Sequence, residues 1–184
     1  MDLLEAIHTR RSIRKYEDRE ITEETVREIL AAAMMAPSAG DARPWQFILV
    51  TDPDQKTKIK TVHPYVGMIE KAPLGILVCG DLSKEKYPGF WSQDCSAAMQ
   101  NLLLATHALG LGAVWTGIYP LKERVEKFHQ IFGLPAHMVP FGLAVMGWPA
   151  QKTKSQDRFD PERIHSNTWR NSPGIPSSSN EREL

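Results

Sequence analysis

The sequence predicts one α+β domain. Three observations carry this reading. The segment 92–109 is apolar nearly all round, as a helix buried on most sides must be. Four short runs read as strands: 45–51, 74–81, 113–118 and 139–148. They fall at irregular intervals between helical segments, which does not suit a strict βαβ repeat. The chain has 184 residues, 42% hydrophobic and 24% charged, enough for a single sizeable core.

The elements follow in order. Residues 2–9 read as a short helix carrying Leu3, Leu4 and Ile7. Ile21 to Met35 read as a second, with Thr22 as N-cap and Glu23 and Glu24 in the first turn, where negative charge is favoured. Val26, Ile29, Leu30 and Ala33 recur at helical spacing, and Pro37 ends the pattern. Ser38 to Pro44 is a loop by composition, and the strand 45–51 ends at Asp52-Pro53-Asp54. Residues 54–61 are polar and lysine-rich, a short exposed helix, and 68–72 form a helical turn. The strand 74–81 is apolar almost throughout, as expected when both faces are covered. A loop at 83–91 leads into the long helix, which Gly110 caps. A helix at 121–132, stopped by Gly133 and Pro135, separates the last two strands. Residues 1–170 form the domain, and the Ser-, Pro- and Asn-rich residues 171–184 are expected to be a disordered tail.

Composition excludes several classes. The formal net charge is zero, which argues against a general nucleic-acid or membrane-surface binder. No run of about 18 apolar residues could span a membrane, and the first residues lack a signal-peptide pattern, so a cytoplasmic location is expected. Cys79 and Cys95 read as free core thiols. The six histidines show no pairing at ligand spacing, so no metal site is expected. There is no Walker A and no G-x-S-x-G sequence. Gly110-Leu111-Gly112 leaves a helix and enters a strand, the reverse of a dinucleotide loop.

Against this neutral background, Arg10-Arg11-Ser12-Ile13-Arg14-Lys15 places four cations and a hydroxyl in six residues. Arginine is the side chain best shaped to grip phosphate, because its planar fork donates two parallel hydrogen bonds. Taken alone, the run also reads as a solvated helix end, where cations suit the macrodipole.

Read in order, five segments resemble the nitroreductase family of flavin oxidoreductases, over about residues 2–170. They are Arg10 to Tyr16, Ala36 to Trp45, Leu109 to Gly117, Gly147-Trp148-Pro149 and Ile164 to Trp169. The resemblance implies a central mixed, mainly antiparallel sheet flanked by helices. It also implies a homodimer with the helix 92–109 at its interface and FMN bound there. The alternative for that helix is the centre of a monomeric core. By position, Arg10, Ser12 and Arg14 match the run that holds the FMN phosphate and ribityl chain, with Arg11 inside it. Arg158 matches a second phosphate-binding arginine, with Lys154 nearby. Pro37, Ser38 and Ala39 match the loop that lies over the isoalloxazine ring of the other subunit. Thr116 and Gly117 match the turn whose backbone approaches the ring's reactive edge.

The loop departs from the family's usual Pro-Ser-x-x-Asn-x-Gln-Pro-Trp. Asp41 replaces the Asn and Arg43 the Gln, so an acceptor-only carboxylate stands where an amide could donate. The two side chains either tune the flavin or pair with each other. The implied reaction passes two electrons from NADH or NADPH through flavin N5 to a nitroaromatic, quinone or similar small-molecule acceptor, in ping-pong order. No side-chain acid or base is assigned, because the chemistry is the cofactor's. Tyr65, Phe90, Trp91 and Tyr119 are candidates to line the acceptor pocket. Two alternatives remain: a flavin-binding or sensing protein without catalysis, or the same scaffold used for dehalogenation or oxygen-dependent flavin cleavage.

Overall fold

The structure, a computed structural model, describes residues 1–169. The described residues form five helices and four strands, in the order α1 (Leu3–Thr9), α2 (Glu23–Met34), β1 (Trp45–Val50), α3 (Pro53–Val62), β2 (Leu74–Asp81), α4 (Trp91–Ala108), β3 (Gly112–Gly117), α5 (Lys122–Phe132) and β4 (Met138–Gly147). Single 3-10 turns lie at Ala39–Asp41, Gly67–Lys71, Leu82–Lys84 and Pro161–Arg163. The chain divides into two compact units, Met1–Lys154 and one that begins at Ser155. All five helices and four strands belong to the first. The expected disorder of 171–184 lies outside the described residues.

The sheet order is β1-β2-β4-β3, and every strand pairing is antiparallel. The parallel contribution is an isolated bridge between Ser12 and Ala113, which lays the chain after α1 against the edge of β3. A register shift at Val78/Cys79 bends β2 against β4. The α+β class read from the sequence is the one observed.

Each face of the sheet carries a core. On one face α2 and α4 pack through Ile29, Ala33, Ala98, Met99 and Leu102 against Ile76, Val78 and Ala144. On the other, Ile59 and Phe128 pack against Leu77, Val114, Leu143 and Val145. Burial on both faces explains why β2 and β4 are apolar almost throughout.

Helix α4 is buried along Cys95, Ala98, Met99, Leu102 and Leu103. The stripe Gln93, Ala97, Gln100, Leu104 and Ala108 is exposed or half-buried. Helix α1 turns its larger apolar residues outward. Its buried residue is Ala6, whereas Leu3, Leu4 and Ile7 are 68, 65 and 47% exposed. The apolar residues that mark this helix in the sequence therefore face away from the core of the chain.

Candidate functional site

The basic run begins where α1 ends. The Thr9 hydroxyl donates to Glu5 O and lies 2.8 Å from Nε2 of His107, which ties α1 to the end of α4. Burial, then the charges of Arg10 and Arg11, hold the His107 pKa below the ordinary histidine range. Beyond Arg10 the chain is extended. Ile13 N–H donates to Ala113 O at 3.0 Å. The Ile13 side chain lies flat on Gly112, where a Cβ would come within 2.4 Å of it. Arg14 N–H donates to Gln151 Oε1 at 3.1 Å, and the Tyr16 hydroxyl is within hydrogen-bond distance of Ile13 O and Val145 O. Most of the run is thus a pinned segment along β3 rather than a frayed helix end. Arg11 is the exception: its guanidinium donates to His8 O and Arg10 O and closes the helix terminus.

Strand β3 carries this edge from Ala113 to Gly117. Thr116 is buried and its hydroxyl donates to Leu143 O at 3.0 Å, so only its backbone can serve a ligand. Gly117 is exposed, with nothing within 4 Å of where a Cβ would stand. Its carbonyl accepts from His63 Nε2–H at 3.1 Å and from the Arg124 guanidinium. His63 Nδ1 accepts from Tyr65 N–H, which fixes the neutral tautomer. Burial, reinforced by Arg124, lowers the His63 pKa. Neither His63 nor Arg124 stands out in the sequence. Each reaches Gly117 from a different helix region, and no local spacing signals such a contact.

The loop from Ser38 to Arg43 precedes β1. Arg43 N–H donates to Ser38 Oγ at 2.9 Å. The Arg43 guanidinium grips the Asp41 carboxylate with two bonds, Nε to Oδ1 at 2.6 Å and an NH2 group to Oδ2 at 2.8 Å. Both side chains are well exposed. The bond from Arg43 lowers the Asp41 pKa, and the same bond raises that of Arg43. Of the two roles left open for this pair, the geometry gives mutual pairing in solvent.

The loop and the basic run flank opposite edges of the sheet, beside β1 and β3, with three strand spacings or about 14 Å between those strands. Arg158 is exposed and belongs to the second unit. Among the aromatic candidates, Tyr65, Phe90 and Tyr119 are exposed. Trp91 is buried against Gly80 and edge-on to Tyr119 at 4.7 Å, so it supports the surface rather than lining it. Trp115, which is not among those candidates, lies over Gly142 next to Thr116 and is partly exposed. Among the described residues no group of three or more His, Cys, Asp or Glu could hold a metal ion, and no helix is long and apolar enough to cross a membrane.

The profile of the Nitroreductase family matches residues 7–66 and 60–148. The chain belongs to the nitroreductase family. A Methanothermobacter thermautotrophicus protein with the provisional name NADH dehydrogenase/NAD(P)H nitroreductase is 57% identical, over 92% of this chain and 88% of that one. A Parabacteroides distasonis structure of the same provisional name is 41% identical with a TM-score of 0.87, over 91% of this chain and 98% of that one. A Desulfovibrio desulfuricans structure in complex with FMN is 31% identical with a TM-score of 0.80, over 92% and 99%. For this nitroreductase, the α+β fold is that of the family.

Proposed function

We propose that this chain is an FMN-dependent NAD(P)H oxidoreductase. It acts as a homodimer and passes two electrons to a nitroaromatic, quinone or similar small acceptor in ping-pong order. The observation that carries the reading is the Ser12–Ala113 bridge. It sets Arg10, Ser12 and Arg14 at one end of β3 and the open face of Gly117 at the other, four residues or about 13 Å along the strand. A ligand with a phosphate at one end and a flat ring at the other suits that edge. Cations and a hydroxyl stand where a phosphate needs donors, and a glycine stands where a ring needs bare backbone.

The fit extends to FMN in chemical detail. Arg10, Ser12 and Arg14 would hold the phosphate and ribityl chain. The Thr116–Gly117 backbone would face the ring edge, kept in place by His63 and Arg124. The chemistry that bound FMN supplies is two-electron transfer between a nicotinamide and an acceptor. The protein's part is to bind, orient and leave one face accessible. Exposed Tyr119 and Trp115, close in sequence to Gly117, offer apolar surface to a flat donor or acceptor. The loop carrying Pro37, Ser38 and Ala39 lies at the far edge of the sheet from this run, which supports its serving the site of a second copy. The exposed Leu3, Leu4 and Ile7 and the open stripe of α4 would be covered in such a pair.

The FMN complex of the Desulfovibrio relative and the NAD(P)H in the name of the Methanothermobacter relative support both ligands. The test is a visible spectrum of the purified chain mixed with FMN, desalted, and titrated anaerobically with NADH and NADPH. Retained yellow colour that bleaches with a nucleotide, and returns on adding a quinone, is the expected result. Colour that never bleaches would favour a binding protein, and no retained colour would end the flavin reading.

A further inference from the structure

The loop from Ser38 to Arg43 holds an unusual concentration of left-handed backbone. Gly40, Asp41 and Arg43 have φ of +60°, +55° and +49°. Glycine adopts this region freely, but for Asp and Arg it costs free energy and persists only where surrounding contacts enforce it. Two anchors outside the loop do so. Asp94 Oδ1, on the first turns of α4, accepts from Ala39 N–H at 2.9 Å. Lys86 Nζ donates to Gly40 O at 2.6 Å. The Tyr87 ring also fills the space beside Gly40, where a Cβ would come within 2.8 Å of it.

Asp94 is the uncommon member of this set. Its side chain is on the most buried helix of the protein, and the residue is 6% exposed. Burying a carboxylate is unfavourable unless it is hydrogen-bonded. The bond to Ala39 is the interaction that justifies a carboxylate there. It fixes residue 39 just before the left-handed stretch, and Lys86 fixes residue 40, the first residue of that stretch.

We propose that Asp94 is a positioning residue for flavin binding, with Lys86 as its counterpart: together they hold the Ser38–Arg43 loop in the one shape that receives the isoalloxazine ring. The proposal rests on the functional reading above, in which this loop covers FMN. A loop held in its binding shape before the ligand arrives loses less conformational freedom on binding, so its anchors contribute to affinity without touching the ligand. A competing role for Asp94 is purely local. A carboxylate in the early turns of α4 suits the helix dipole, and in that role it would affect stability alone.

Asp94→Ala and Asp94→Asn separate the two roles. The Asn variant keeps an oxygen acceptor for Ala39 N–H and loses the charge. FMN dissociation constants come from fluorescence titration of the full-length apo-protein, with its melting temperature recorded in parallel. Asp94→Ala is expected to weaken FMN binding about tenfold, Asp94→Asn to stay within about threefold, and Lys86→Ala to weaken it about threefold. The bound-flavin absorbance bands should broaden in Asp94→Ala and sharpen again in Asp94→Asn. Unchanged FMN affinity in Asp94→Ala, whatever its melting temperature, would overturn the proposal and leave the dipole role. If Asp94→Ala does not fold, Lys86→Ala decides: Lys86 lies on an exposed turn, and unchanged affinity there overturns the proposal. A parent chain that retains no FMN would instead refute the functional reading, and this proposal with it.

Discussion

His63 donates from Nε2 to the main-chain carbonyl of Gly117 at 3.1 Å, across 54 positions of sequence. The same carbonyl accepts from Arg124 on α5. A neutral histidine and an arginine thus converge on the backbone that closes β3. The histidine is neutral, with Nδ1 committed to Tyr65 N–H. A proton added at Nδ1 would remove that acceptor and place a charge beside Arg124.

Stability should therefore fall in mild acid. In the unfolded chain His63 takes up its proton near pH 6.5. In the folded protein burial holds its pKa lower, and the same sign applies to His107. Over this window the unfolded state binds more protons, so stability rises with pH. The contribution is complete above about pH 6.5 and declines as pH drops below it. Melting curves from pH 8 to pH 5 should show this loss, and His63→Gln should reduce its pH dependence. A melting temperature flat across that range in the parent would refute the assignment of neutral, buried rings.

Gly112→Ala should damage both fold and site. A methyl group there meets Ile13 at 2.4–2.8 Å, and those atoms belong to a branched side chain that is itself buried. Overpacking of this kind costs about 1–3 kcal/mol. Relief requires Ile13 to move, and Ile13 lies between Ser12 and Arg14. Urea unfolding should register the loss of stability, and FMN affinity should fall in protein that remains folded. Gly117→Ala is the contrast, since its Cβ would meet nothing within 4 Å in the free protein. It should leave stability nearly unchanged and weaken flavin binding.

Arg14→Ala tests the phosphate assignment directly. Arg14 is exposed, and its backbone is held by Gln151, so truncation should leave the fold intact. Hydrogen bonds to charged groups are worth enough that FMN affinity should drop by about tenfold or more. The loss should be smaller for riboflavin, which lacks the phosphate, and smaller at high salt. Equal losses for FMN and riboflavin would move the phosphate elsewhere.

The parts of this molecule legible in the sequence are those fixed by local pattern. The four strands and α2 were readable because burial on one or two faces imposes a period, and Thr22, accepting from Thr25 N–H, caps α2 as its residue type implies. Helix α1 is readable in position, whereas the outward facing of Leu3, Leu4 and Ile7 is not. What stayed hidden are contacts made across the fold. Asp94 reads as one polar residue in an apolar helix, and its partner Ala39 is 55 positions away. Gly112 reads as part of a turn, whereas its small size is needed by Ile13. Trp91 reads as a candidate for a ligand surface, and only the sheet shows it buried over Gly80.

The Asp41–Arg43 pair gives a prediction about redox tuning. Both residues are exposed, so their mutual bond should matter little to stability, and Asp41→Asn or Arg43→Gln should melt close to the parent. Their charges matter in another way. Paired, they present almost no net charge to a flavin covered by this loop. Arg43→Gln leaves Asp41 uncompensated, and a lone negative charge disfavours adding electrons nearby, so the midpoint potential of bound FMN should fall. Asp41→Asn leaves Arg43 uncompensated and should raise it. The double variant, which restores the family's usual loop, should return near the parent value. Spectroelectrochemistry of the four proteins provides the cycle. Because screening weakens interactions between exposed charges, the two single-variant shifts should shrink as salt is added. Identical potentials in all four proteins at low salt would place this loop away from the flavin.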